Sequence, residues 1–146
     1  MATENTFPIK DAAFVQSLIP QKSPFVMVDA LFSYESHSLK AGLTICKSNI
    51  FVEKDVFAEA GIIEHMAQSV ALHTGYQFFL KNEPAPTGYI GSIRSVSVEK
   101  YPKVGNTIET QVSVLQEFMG VTLVEIESSV GGSVIAKAQM KTVIAS

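Results

Sequence analysis

The chain has 146 residues, 47% of them hydrophobic and 17% charged, with a formal net charge of −3. That is the size of one domain with enough apolar material for a core, so a disordered chain is excluded and a single unit over residues 1–146 is expected. The weak acidic balance without any basic block excludes nucleic acid as a partner, and no stretch approaches the ~20 apolar residues of a membrane span.

The N-terminal MATENTFPIK lacks the charged-then-apolar pattern of a signal peptide, so a cytoplasmic location is expected. Residues 10–18, KDAAFVQSL, predict a short helix with Ala13, Phe14 and Leu18 on one side, broken by the prolines of PQKSP. Residues 24–35, PFVMVDALFSYE, are rich in β-branched and aromatic side chains and predict a strand that turns near residues 35 and 36. The return, HSLKAGLTICKS, alternates Leu39, Ala41, Leu43 and Ile45 with Lys40, Gly42 and Thr44, as a half-buried strand does. It carries Cys46, the chain's one cysteine, read as a small core or face residue; a disulfide within the chain and a cysteine-cluster zinc site are both excluded.

Residues 48–57 mix charged and apolar side chains and predict a loop. Residues 58–80, AEAGIIEHMAQSVALHTGYQFFL, predict a long helix, ended by the two prolines and glycine of KNEPAPTG. Strands follow: GYIGSIRSVSVEK, a turn at 101–106, and TIETQVSVLQEF with Ile108, Val112, Val114 and Phe118 on one face. A turn near Gly120, the strand VTLVEIESS, a tight hairpin at Gly131-Gly132 and SVIAKAQMKTVIA complete the chain. Strands outnumber helices and hairpins connect them, so the expected class is α+β, one antiparallel sheet curled round one helix. The low charged fraction and the open sheet edges suggest that a second copy of the chain covers some apolar surface.

The long helix is apolar or small almost all the way round, which marks a buried helix, yet it contains Glu64. A carboxylate is rarely buried without a partner, so Glu64 needs a structural or a chemical reason. It shares a helical face with Ala60, Gln68, Ala71 and Gly75, a small-residue stripe with room above the carboxylate. Gln68 on that face is either a residue bordering the substrate or a buried amide satisfied by backbone. Gly61, near the positive end of the helix, is suited to letting substrate approach a backbone N–H, or simply to tight packing.

Two segments carry a resemblance. Residues 18–29, LIPQKSPFVMVD, resemble the N-terminal signature of the 3-hydroxyacyl-carrier-protein dehydratases of fatty-acid synthesis, and residues 61–68, GIIEHMAQ, resemble their central-helix motif. The turn YPKVGN at 101–106 is similar to the proline–glycine turn of the same family. The chain looks most like a divergent branch of predicted dehydratases from aryl-polyene and flexirubin pigment clusters. The resemblance implies the hotdog fold, a long helix wrapped by an antiparallel sheet that dimerises into one continuous sheet. It also implies a catalytic Glu64, an oxyanion contact at the Gly61 N–H, and elimination of water from a 3-hydroxyacyl thioester held on a carrier protein.

The chain departs from the family where the other catalytic group belongs. The family's loop histidine has no counterpart in 51–60, FVEKDVFAEA, and its other common histidine is Gln21. Of the three histidines present, His65 is the candidate second proton-transfer group, facing the site of a partner subunit; His73 and His37 are expected in structural or surface roles. Glu53, Asp55 and Glu59 are more simply solvated charges, Tyr76 and Tyr89 core aromatics or tunnel walls, and Lys22, Arg94, Lys100 and Lys103 a solvated face that could steer an acidic carrier. No metal or other cofactor is expected, since HExxH is absent. The same carboxylate in the same fold could serve a thioesterase, and a non-catalytic hotdog subunit is the third alternative.

Overall fold

The computed structural model of the protein describes residues 6–144. The first helix, α1 (Ala12–Ser17), is capped by Asp11, whose carboxylate accepts from the Ala13 and Phe14 amides at 3.1 and 3.3 Å. The helix lays Val15, with Phe14 and Leu18, against the core; Ala13, expected on that side, is exposed.

Only the second half of the predicted strand at 24–35 is a strand. β1 covers Ala30–Glu35, because the Phe25 and Met27 backbone groups bond to helix side chains instead of a sheet neighbour. After a turn at Ser36 and His37, β2 (Ser38–Thr44) buries Leu39, Ala41 and Leu43, as the alternation predicts. Cys46 lies just beyond β2 and is exposed. Within the predicted loop at 48–57 there is a small hairpin, β3 (Val52–Glu53) with β4 (Val56–Phe57), turned by Lys54 and Asp55 at positive φ. Phe57 N–H to Pro102 O at 2.8 Å and Val104 N–H to Asp55 O at 3.0 Å tie this hairpin to the 101–106 turn.

The long helix, α2 (Glu59–Leu80), is followed by four long strands: β5 (Gly88–Val98), β6 (Thr107–Phe118), β7 (Val121–Val130) and β8 (Ser133–Ile144). They join β1 and β2 in one antiparallel sheet of order β1-β2-β6-β7-β8-β5. Ile108, Thr110 and Val112 of β6, with Val124, Ile126 and Ser128 of β7, make its buried face. A bulge between Val114 and Gln116 interrupts the alternation of β6, and Phe118, expected on the inner face, is 69% exposed.

α2 lies against this face, chiefly on β2 and β6. The expected α+β architecture is therefore present. β5 extends beyond the helix, and residues 88–95 are exposed along their whole length, Tyr89, Ile90 and Ile93 among them. None of the helices described is long and apolar enough to cross a membrane.

Candidate active site

At about 100° per residue, the buried residues of α2 occupy a broad arc, and the half-buried Ile63, Glu64, Ala67, Ala71, Thr74 and Phe78 fall on the remaining stripe. All of that stripe except Ile63 lines a cleft of about 810 Å³, bounded also by residues 85–90 and the ends of β6, β7 and β8. The helix is thus apolar on nearly every side because the sheet and the N-terminal segment take most of it. The stripe left over is small in the middle, at Ala67 and Ala71, and carries Glu64 at its N-terminal end. Gly75 does not belong to open space, as the shared face implied. The backbone of Leu18 crosses it so closely that an added Cβ would overlap the Leu18 carbonyl.

Glu64 is held from one side. Gln68 Nε2 donates to Glu64 Oε2 at 2.7 Å and to the Phe25 carbonyl at 2.8 Å, while Gln68 Oε1 accepts from the Met27 N–H at 2.6 Å. Gln68 is fully buried and is not one of the cleft-lining residues. Of its two expected roles the structure selects the satisfied amide over the substrate contact, because every polar atom of the side chain already has a partner.

His65 does not face outward toward a second subunit. It is fully buried, with Nδ1 at 2.7 Å from Met27 O and Nε2 at 2.7 Å from Thr110 Oγ1, and Thr110 Oγ1 lies 2.6 Å from Ser128 Oγ. A carbonyl can only accept, so Nδ1 carries the proton and Nε2 must accept from the Thr110 hydroxyl. Thr110 has no second proton to give, so Ser128 donates to Thr110. Burial holds the imidazole neutral, its pKa lowered to about 4, against the opposing effect of the Met27 hydrogen bond. The role of second proton-transfer group is therefore withdrawn from His65: both nitrogens are spent on structure.

The other histidines sit elsewhere. His73 Nε2 donates to the Glu35 carbonyl at 3.0 Å, its ring stacks on Tyr34, and burial lowers its pKa. It borders the same cleft as Glu64, but nine residues further along one helix is ~13 Å along the axis, too far for both to serve adjacent carbons. His37 is exposed in the β1–β2 turn. The Gly61 N–H is not available as the oxyanion contact expected from its place near the helix start. It donates to Ala58 O at 3.0 Å, and the residue is buried under Phe57 and Phe51, whose atoms lie 2.5 and 2.7 Å from where a Cβ would be. Gly61 is a packing glycine.

Glu53, Asp55 and Glu59 are exposed and lie outside the cleft. Tyr76 is buried among Phe7, Tyr34 and Phe79, whereas Tyr89 is 61% exposed at the cleft wall. Gln21 lines the cleft, and its enclosed Oε1 has no donor among the described residues. Sequence reasoning missed Thr110 and Ser128. The signal was there: each is a hydroxyl at an inner-face position of a strand whose neighbours on that face are apolar, which calls for a polar partner on the covering helix.

A helix wrapped by one curled antiparallel sheet, with a carboxylate on its open stripe, defines a hotdog-fold protein. A dehydratase heterocomplex, ApeI:P from Xenorhabdus doucetiae, superposes with a TM-score of 0.84 at 18% identity over 97% of this chain and 93% of that one. The model of the ApeP-like family, described as ApeP dehydratase, matches residues 13–146, and the chain belongs to that family. Among individual relatives, the 3-hydroxyacyl-[acyl-carrier-protein] dehydratase FabZ of Pasteurella multocida is 30% identical over 150 residues, spanning 96% of this chain and 95% of the relative. The enzyme of the same name from Vibrio cholerae is 29% identical over 133 residues, 87% of this chain and 86% of the relative.

Proposed function

We propose that the chain takes part in the dehydration of 3-hydroxyacyl thioesters, carried on an acyl carrier protein, to trans-2-enoyl thioesters in fatty-acid or polyene-type biosynthesis. Membership of a dehydratase family supports the reaction, and the observation that carries the site is Glu64, half-buried, anchored through one oxygen and lining an 810 Å³ cleft. That volume lies in the range of ordinary small-ligand sites, roughly 300–1,000 Å³.

Elimination needs a base to take a proton from C2 and an acid to protonate the hydroxyl leaving C3. The C–H pair becomes the C2=C3 bond and the hydroxyl departs as water. Glu64 supplies one of these proton transfers. The second group comes from outside this cleft as the chain builds it, since His65 is committed, His73 is too distant along the helix, and His37 is in a remote turn. A partner subunit on the free edge of β5 is the natural source. ApeI:P is itself a heterocomplex, which supports a partner of a different sequence beside the homodimer first expected. The reaction is placed in the cytoplasm, where Cys46 stays a free thiol.

The test is hydration of a 2-enoyl thioester on carrier protein, followed by mass change, with the chain alone and mixed with a homologous hotdog subunit. Glu64→Gln should abolish turnover in whichever preparation is active while leaving the melting temperature nearly unchanged. Undiminished turnover by that variant overturns the role of Glu64. Activity of the partner that is raised by wild type and equally by Glu64→Gln would assign the chain a supporting, non-catalytic place. Release of free thiol without any change in unsaturation would indicate a thioesterase.

A further inference from the structure

We propose that Gln68 is the positioning residue for Glu64, and that its fixed amide decides which carboxylate oxygen meets the substrate. This rests on the reading of Glu64 as a proton-transfer group. A Gln–Glu pair four residues apart on a helix is ordinarily loose, worth a few tenths of a kcal/mol. Here the amide cannot turn over. Rotation would set Nε2 against the Met27 N–H and Oε1 against both the Phe25 carbonyl and the Glu64 carboxylate, replacing three hydrogen bonds with three repulsive contacts.

The segment that locks it is itself locked. Met27 offers its N–H to Gln68 and its carbonyl to His65, so two side chains of α2, three residues apart, grip both polar groups of one buried residue. Phe25, two residues earlier, adds its carbonyl. The grip passes to Glu64 through a single N–H bond to Oε2, leaving Oε1 with no partner among the described residues on a side chain that lines the cleft. Oε1 is then the oxygen that exchanges the proton, and Gln68 sets its direction without touching substrate.

The experiment compares Gln68→Asn, Gln68→Met and Thr110→Val in the active preparation. Asn keeps the amide but is one methylene too short to span Met27 and Glu64; Met keeps the length without the hydrogen bonds. Both should lower kcat by about tenfold or more with KM little changed. A crystal structure of Gln68→Asn should show the Glu64 carboxylate displaced or in more than one rotamer. Thr110→Val removes the other anchor of the Met27 region, so it should lower the melting temperature while keeping kcat within about twofold. Wild-type kcat in Gln68→Asn overturns the proposal, as does an unmoved Glu64 in its structure. Equal loss of kcat in Thr110→Val overturns it too, because general loosening would then explain the effect. Should Glu64→Gln retain turnover, it is the catalytic reading that falls; should only the Gln68 variants retain it, the positioning role alone falls.

Discussion

At the scale of single residues, the buried imidazole of His65 has a measurable signature. Its folded pKa is about 4 against the ordinary 6.5, because burial outweighs the Met27 hydrogen bond. Between those two values the unfolded chain holds a proton that the folded chain lacks. Stability is therefore full above about pH 6.5 and falls as the pH drops towards 4, by on the order of 3 kcal/mol. His73, also lowered by burial, pulls in the same direction. Urea unfolding across this range should show the midpoint falling with acid, and His65→Gln should flatten the slope while keeping the His73 contribution. An unchanged slope in that variant would show that the imidazole is already protonated in the folded chain.

At the scale of elements, the contact between α2 and the segment after α1 turns on Gly75, which the Leu18 carbonyl overlies. In an isolated helix, alanine would be better than glycine by ~1 kcal/mol. Here a backbone carbonyl would have to move, so Gly75→Ala should destabilise by about 1–3 kcal/mol, read from the urea midpoint. A raised midpoint would mean the segment yields freely. The same helix shows what a sequence does and does not disclose. Its limits and burial were legible because Gly and Pro punctuate its end and its apolar residues leave almost no polar face. Glu64 was legible as an anomaly, and it does line the cleft. The roles of Gly61 and His65 were not, because each depends on what lies beyond the helix: two phenylalanine rings over one, a strand threonine and a loop carbonyl on the other. Likewise the first half of 24–35 has strand composition, but its hydrogen-bond partners are side chains more than thirty residues away, which no local pattern records.

At the scale of the whole molecule, β5 is the feature that asks for a partner. It is hydrogen-bonded to β8 on one side only, and Tyr89, Ile90 and Ile93 are 61%, 40% and 45% exposed. Light scattering on a sizing column should find the wild-type protein, alone or with its partner subunit, as a dimer or larger. Ile93→Lys should shift it to the smaller species without unfolding it. A monomeric wild type under all mixing conditions would remove the edge from the account of the site.

A free edge of this kind also has a bearing on how the protein must be made. β5 can be completed only after β8, the last strand in the chain, is laid beside it, so a nascent chain acquires its adhesive border at the end of folding. From then on, unpaired copies can meet one another edge to edge and accumulate as aggregate rather than as a reserve of spare subunits. The yield of soluble protein is then set by the scarcer of the two strands that must meet, and balanced synthesis counts for as much as affinity.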